Sequence, residues 1–188
     1  MTKSIMIVGV GGQGSLLASR LLGNVLLSCG YDVKLSEVHG MSQRGGSVVT
    51  YVKYGDKVSS PLVDKGEADY ILSFELLEAA RWLPYLKKGG KIVVNAQKIF
   101  PMPVITGTMS YPEDLEKKLQ AQADVTAFDA LALAEQAGSP KAVNIVLMGK
   151  LSTMTDIPED VWTAALEKTV PAKFLELNRK AFQLGKEG

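Results

Sequence analysis

The sequence predicts an α/β protein with a Rossmann-like, open, mostly parallel sheet and helices on both faces. Three observations predict this class. An apolar strand, Ile5 to Val8, runs into a glycine turn and then into a helix with a broad apolar stripe, Ser15 to Cys29. Strand-like and helix-like segments then alternate along the chain, and the region after Tyr111 is largely helical. We expect one domain spanning residues 1–188.

The glycine turn is the first candidate binding element. Gly9, Gly11 and Gly14 have the spacing G-x-G-x-x-G, and Gly12 and Gln13 lie between them. Backbone N–H groups at a strand-to-helix turn favour a phosphate, which is the physical basis of the dinucleotide-binding fingerprint. The same glycines would also serve close strand-to-helix packing without any ligand, so both interpretations stay open here.

The next segment carries most of the polar candidates. A strand from Asp32 to Val38 leads to His39 and a loop that ends in Gly45-Gly46. Ser47 to Tyr54 alternates like a strand, and Gly55-Asp56 is typical of a hairpin turn. We therefore expect a β-hairpin insertion near residues 47–60, with Lys57 to Ser60 as its return segment.

Further elements follow from hydrophobic periodicity and from helix start and stop signals. A buried strand is predicted at Asp69 to Phe74, and a helix from Glu75 that is closed by Lys87-Lys88-Gly89-Gly90. A strand at Lys91 to Asn95 and a short extended piece at Val104-Ile105 come next. The C-terminal flank is predicted as a late strand at 124–128 with helices at 112–123, 129–137, 142–151, from 158 onward and at 171–184.

The composition of the chain argues against several classes of function. The formal net charge is +1 and no block of like charge is present, which argues against a nucleic-acid surface or a membrane-binding face. The single cysteine, Cys29, cannot form an internal disulfide or hold an iron–sulfur cluster alone. The single histidine, His39, is a candidate proton carrier, and we predict no metal site. A cytoplasmic location is the default expectation.

Glu37 and Arg44 are the charged candidates at the expected ligand edge of the sheet. Glu37 lies about 20 residues past the glycine turn, where a ribose-binding acid is expected; it would otherwise pair with Arg44 or His39. Arg44, displayed beside glycines, suits a phosphate or carboxylate; the alternative is a solvated arginine. The predicted cofactor-binding residues are Gly9, Gly11, Gly12, Gln13, Gly14, Glu37, Ser42, Gln43, Arg44, Gly45 and Gly46.

Two stretches together resemble a known family. The glycine turn, followed by Ser36-Glu37-Val38-His39-Gly40-Met41-Ser42-Gln43-Arg44-Gly45-Gly46-Ser47-Val48, resembles the gamma-type domain of 2-oxoacid:ferredoxin oxidoreductases. Within that family the segment is most similar to the beta subunits of indolepyruvate ferredoxin oxidoreductases. Further matches are Ser60-Pro61-Leu62, Gly66-Glu67-Ala68-Asp69, Phe74-Glu75-Leu76-Leu77-Glu78-Ala79 and Leu83-Pro84-Tyr85-Leu86-Lys87. The resemblance is specific from residue 5 to about 106 and looser afterwards.

The resemblance implies a subunit that is inactive alone. The family's large alpha-type partner carries thiamine diphosphate and 4Fe-4S clusters, and the complex converts an arylpyruvate and coenzyme A (CoA) to an aryl-acetyl-CoA while reducing ferredoxin. No cofactor is expected on this chain itself, which agrees with its single cysteine. The loop from Glu37 to Gly46 would face the partner's active site, with Arg44 as an anion contact and His39 and Gln43 as polar positioners. The glycine turn would serve the fold or hold a phosphate-bearing group of CoA.

Other functions remain as alternatives. The chain could be the gamma subunit of a pyruvate, 2-oxoisovalerate or 2-oxoglutarate:ferredoxin oxidoreductase. A free-standing NAD(P)-binding oxidoreductase would use Gly9 to Gly14 and Glu37, although the chain leaves little room for a substrate domain. A non-catalytic nucleotide-sensing or scaffold module is a third interpretation. An isolated subunit is also expected to expose an apolar patch and either to self-associate, for example as a homodimer, or to be unstable without its partner.

Overall fold

The computed structural model describes residues 2–39 and 46–188, and in this part of the chain six strands form one sheet. The strands are β1 (Lys3–Val10), β2 (Asp32–His39), β3 (Ser47–Gly55), β4 (Ala68–Ser73), β5 (Leu86–Asn95) and β6 (Asp124–Phe128). The helices are α1 (Ser15–Ser28), α2 (Leu76–Trp82), α3 (Met102–Ile105), α4 (Leu115–Gln120), α5 (Ala130–Ala137), α6 (Val143–Ser152), α7 (Glu159–Thr169) and α8 (Leu175–Glu187). Short 3₁₀ turns occur at Leu83–Tyr85, Pro140–Ala142 and Ala172–Phe174.

The strand order is β2-β3-β1-β4-β5-β6. β1, β4, β5 and β6 run parallel, and β3 runs antiparallel to both β1 and β2. Five of the six described strands therefore point the same way, which confirms the predicted open, mostly parallel α/β sheet. The carboxyl ends of β1, β4 and β5 lie along one edge of it.

β1 is central and is buried on both faces, so alternate residues enter two separate cores. Ile5 and Ile7 pack with α1 and with the C-terminal helices α5 to α8. Met6 and Val8 pack on the other face with α2 and α4. This arrangement confirms helices on both faces and a helical C-terminal flank. Within the described residues, no helix has the length and apolar character that crossing a membrane requires.

The strand predicted at Ser47 to Tyr54 is present as β3, but the hairpin predicted between it and Lys57 to Ser60 is not formed. β3 pairs with β2 before it and with β1, so it is a full strand of the sheet. Lys57 to Ser60 form no strand. The reason is that the side chain of Asp32, at the start of β2, accepts a hydrogen bond from Val58 N at 2.8 Å, which directs the chain away from the sheet.

Two other boundaries were wrong. Lys87-Lys88-Gly89-Gly90 do not cap a helix but belong to β5, because the 3₁₀ turn that contains Pro84 ends α2 earlier. The register between β4 and β5 shifts there, so the glycines form an irregularity in the strand. Val104-Ile105 are helical in α3 rather than extended, because Pro101 and Pro103 suit the first turn of a helix.

Candidate functional site

The turn after β1 contains glycines with positive φ angles, and the surroundings of these glycines differ. Gly12 and Gly14 have φ values of +97° and +85°, which side chains rarely adopt. A Cβ at Gly14 would lie 2.8 Å from Asn144 Nδ2, whereas a Cβ at Gly12 would meet nothing within 4 Å. Packing therefore explains Gly14, and the backbone at Gly12 faces open space.

Gln13 ties this turn to the end of β4. Its Oε1 accepts a hydrogen bond from Val10 N at 2.7 Å, and its Nε2 donates to Phe74 O at 3.3 Å. The small Gly9 makes room for this bridge, since a Cβ there would lie 2.7 Å from Gln13 Oε1. The side chain of Gln13 thus supports the turn from within the protein.

Asn95, at the end of β5, forms hydrogen bonds with three segments near the glycine turn. It is fully buried; its Nδ2 donates to Phe74 O at 3.3 Å and to Gln97 Oε1 at 3.1 Å. Its Oδ1 accepts from Ala130 N at 3.1 Å. One side chain therefore fixes the carboxyl ends of β4 and β5 against the start of α5, and every polar atom of its amide is used.

These elements enclose a pocket of about 460 Å³ over the glycine turn. It is lined by Gly12, Gln13, Gly14, Phe74, Gln97, Ile99, Leu131, Pro140, Lys141 and Val143. Among the described residues, the lining contains one cation, Lys141, and no carboxylate. The N–H groups of Ser15 and Leu16 begin α1 beside it and have no acceptor within the helix. The pocket therefore has positive groups, Lys141 and the N-terminus of α1, next to apolar side chains. This combination suits a ligand that carries an anionic group on an otherwise apolar molecule.

A larger cavity, about 560 Å³, lies at the opposite end of the sheet. Two of the three cations among the described residues that line it have partners: Lys53 pairs with Glu67 at 3.2 Å and Lys87 with Asp69 at 3.1 Å. Asp69 also accepts from Ser4 N at 2.8 Å. We therefore assign that cavity to the structure of the sheet end and favour the smaller pocket at the carboxyl edge as the candidate site.

Glu75 is a buried carboxyl group that stands behind the pocket wall. It caps α2 by accepting a hydrogen bond from Glu78 N. Burial raises the pKa of Glu75, although the backbone N–H groups at the start of α2 act to lower it. The start of α2 is joined to the segment after β5 by the backbone hydrogen bond from Leu76 N to Gln97 O at 3.1 Å. The pKa of the adjacent Tyr111 is raised to about 12 by burial, with the charge of Glu75 adding to the rise.

The other predicted residues fall into two groups. Gly46 is described, and its carbonyl oxygen accepts a hydrogen bond from Gly11 N at 3.0 Å, so the start of β3 lies against the glycine turn. Glu37 lies opposite Thr50 in the β2–β3 register, and β3 separates it from β1. Two strand spacings are about 10 Å, so Glu37 does not stand beside the glycine turn as a ribose-binding acid does on an adjacent strand. Ser42, Gln43, Arg44, Gly45 and the side chain of His39 lie outside the described residues.

Several pocket residues were missed by reading the sequence. Gln97, Ile99, Leu131 and Lys141 come from segments far along the chain from the glycine turn. The signal for Lys141 was present in Gly138-Ser139-Pro140, which stops a helix and places the next residue at a loop exit. In residues 2–39 and 46–188, no three His, Cys, Asp or Glu side chains are grouped to hold a metal ion.

Comparisons with known proteins agree with this architecture. A family model described as pyruvate ferredoxin/flavodoxin oxidoreductase matches residues 4–188. The indolepyruvate oxidoreductase subunit IorB of Thermococcus kodakarensis is 45% identical, over 97% of this chain and 93% of its own length. The corresponding subunit of Archaeoglobus fulgidus is 37% identical, over 98% and 94%. The crystal structure of a keto/oxoacid ferredoxin oxidoreductase gamma subunit from Geobacter sulfurreducens has a TM-score of 0.73 and 26% identity, over 98% of this chain and 96% of that one.

Proposed function

The chain belongs to the pyruvate ferredoxin/flavodoxin oxidoreductase family, and from that premise we propose that it acts as the small subunit of an indolepyruvate:ferredoxin oxidoreductase. The observation that carries the proposal is the 45% identity to an indolepyruvate oxidoreductase subunit along nearly the whole of both chains. The gamma-type alternative for other 2-oxoacids has weaker support, since the keto/oxoacid gamma subunit is 26% identical.

The redox centres of such a complex do not fit this chain. One cysteine cannot supply the thiolates of a 4Fe-4S cluster, and Cys29 lies within the first helix-to-strand connection, away from the pocket. We therefore place the clusters on a larger partner subunit, which passes electrons to ferredoxin and would, as the family resemblance implies, also carry thiamine diphosphate. The complex would oxidatively decarboxylate an aryl 2-oxoacid and join the resulting acyl group to CoA.

This chain's own contribution would be to receive an anionic group at the candidate pocket. Lys141 and the N–H groups at the start of α1 would contact a phosphate of CoA, and the apolar side chains of Ile99 and Leu131 would pack against the rest of the molecule. Glu37 and the segment from Ser42 to Gly46, with Arg44 as an anion contact and His39 and Gln43 as positioners, would face the partner's active site. The part of the pocket lining that the structure describes contains no carboxylate, which supports the choice of an anionic ligand.

Co-expression of the tagged chain with a large thiamine diphosphate and iron–sulfur subunit tests the proposal. We expect the pair to co-purify and to reduce ferredoxin only when indolepyruvate and CoA are both present. Co-purification of no such subunit, together with tight binding of NADH by the chain alone, would overturn the proposal and favour a free-standing dehydrogenase.

Substitution of Lys141 tests the pocket separately. A charge-assisted hydrogen bond contributes about 1.5–3 kcal/mol, so Lys141→Ala should raise the KM for CoA about tenfold to a hundredfold. Lys88→Ala is the matched control, because Lys88 is also exposed but lies at the amino end of β5, across the sheet. Arg44→Ala in the same assay tests the predicted loop contact. If either variant assembles normally and has the wild-type KM values for CoA and oxoacid, the residue replaced in that variant does not contact the ligand.

A further inference from the structure

The segment that leaves β5 and passes the pocket has an unusual surface. From Ile99 to Tyr111, thirteen residues carry no charged side chain, in a protein with 22% charged residues. Four large apolar side chains in it are more than half exposed: Phe100 (52%), Met102 (65%), Ile105 (64%) and Met109 (65%). We call residues 100–109 the apolar knob. Interface cores are depleted of charge and enriched in aromatic residues and methionine, which is the composition of this segment.

The knob is ordered by its own hydrogen bonds. Thr106 Oγ1 donates to Met102 O at 3.0 Å, and Thr108 Oγ1 donates to Pro103 O at 2.9 Å. Met109 N also donates to Pro103 O, at 2.9 Å. The polar groups are therefore satisfied inside the knob while the apolar side chains point outward. Such a preformed shape loses little conformational entropy on binding, which favours a docking element over a solvent-exposed loop.

Both ends of the knob are anchored on the body of the protein. The rings of Phe100 and Tyr111 lie 5.1 Å apart, and Lys98 Nζ lies 5.9 Å from the centroid of the Tyr111 ring. Tyr111 in turn packs against the core that lies between the sheet and the helices α2 and α4. Because Gln97 and Ile99 also line the candidate pocket, the knob adjoins that pocket directly.

The exposed area favours a larger partner over a second copy of this chain. At about 200 Å² for a fully exposed large side chain, the four side chains present roughly 500 Å². A stable interface needs about 800 Å² on each side, so two knobs in contact would not hold two copies together. A concave surface that surrounds the knob would also cover the neighbouring pocket rim and reach that area.

We propose that the apolar knob docks into an uncharged, apolar recess on the larger partner subunit, beside the candidate pocket. This inference rests on the proposed function. Met102, Ile105 and Met109 are expected to supply most of the binding free energy, because they are the most exposed apolar side chains of the knob and a few residues usually dominate an interface.

The experiment compares assembly of the co-expressed complex for knob and control variants. Ile105→Glu and Met102→Glu should each weaken binding to the large subunit about 30-fold or more, because a carboxylate would be buried in an apolar recess. Leu27→Glu and Leu62→Glu are the controls, because Leu27 (59%) and Leu62 (60%) are equally exposed on other elements and should leave the affinity unchanged. A photo-crosslinking residue at position 102 should link to the large subunit.

The outcomes separate this inference from the proposed function. If the wild-type pair assembles and is active but the knob variants bind the large subunit as tightly as wild type does, the knob assignment is wrong. Equal losses in the control variants would also overturn it. If the knob variants change only the self-association of the isolated chain, measured by light scattering, the occupant is a second copy. Failure of the wild-type pair to assemble at all would instead contradict the proposed function.

Discussion

Replacement of Gly149 by alanine tests how closely α6 packs against α8. Gly149 is buried in the middle of α6, and an added Cβ would overlap the carbonyl oxygen of Phe182 in α8. The same Cβ would lie 3.0 Å from Phe182 C and 3.2 Å from Lys186 N. Since these are backbone atoms, no side-chain rotation can relieve the overlap, and α8 has to move outward as a unit.

The expected magnitude is a difference between two opposing effects. Overpacking a close contact costs about 1–3 kcal/mol, and the upper end applies because the neighbour is backbone. Alanine recovers about 1 kcal/mol of helix propensity over glycine. The net loss in the free energy of unfolding is therefore about 2 kcal/mol, or a decrease in Tm of about 4–8 °C for a protein of this size.

Thermal and urea unfolding monitored by circular dichroism would measure this loss. Gly23→Ala is the matched control, because Gly23 lies in the interior of α1 and an added Cβ there would meet nothing within 4 Å. That variant should gain about 0.5–1 kcal/mol from helix propensity alone. If Gly149→Ala were as stable as wild type while Gly23→Ala gained as expected, the close approach of α6 and α8 would be refuted.

Three further substitutions probe buried polar groups and the glycine turn. Burial raises the pKa of Glu75 above its ordinary value of 4.5. The protonated carboxyl therefore makes its full contribution to the free energy of unfolding below about pH 4.5, and this contribution is lost as the pH rises through the pKa of Glu75 in the folded protein. The Glu75→Gln side chain cannot ionise, so the free energy of unfolding of this variant should increase relative to that of wild type as the pH rises through this range. Urea titrations at several pH values measure the difference, and a difference that does not change with pH would contradict the prediction. Thr50 Oγ1 is buried without a hydrogen-bond partner among the described residues, so Thr50→Val should raise the free energy of unfolding by about 1 kcal/mol, and a lower urea midpoint would disprove it. Gly12→Ala should cost about 1–2 kcal/mol through its positive φ alone, and an unchanged Tm would show that the turn relaxes freely.

The sequence predicted the fold well wherever one local signal dominated. β6 has the predicted bounds, and α5 begins after Asp129 and ends at Gly138 as expected, because an N-cap and a glycine C-cap act within the segment itself. The failures occurred where a distant contact decided the outcome. The side chain of Asp32 holds Val58, and the position of β3 between β1 and β2 depends on pairings that no local pattern specifies.

Of the residues that line the candidate site, the sequence predicted those of the glycine turn. Its glycines carry a spacing that can be read directly, but Lys141, Gln97 and Leu131 approach the turn only through tertiary packing. Asn144 illustrates the limit, since its Nδ2 donates to Gly14 O at 3.2 Å across 130 residues of sequence. An asparagine inside an apolar helix indicates a buried polar role, but its partner is visible only in the structure.

The placement of β3 has a consequence for how the chain is synthesised. The two neighbours of β1 in the sheet are residues 47–55 and 68–73, so this buried strand is synthesised before either strand with which it pairs. A nascent chain that ends at residue 46 would expose the apolar run Ile5-Met6-Ile7-Val8 without a sheet neighbour, whereas one that ends after Ser73 contains both. We expect the fragment 1–46 to aggregate or to bind chaperones more strongly than the fragment 1–73, because an unpaired apolar strand is prone to both. Equal solubility of the two fragments would show that α1 alone protects β1.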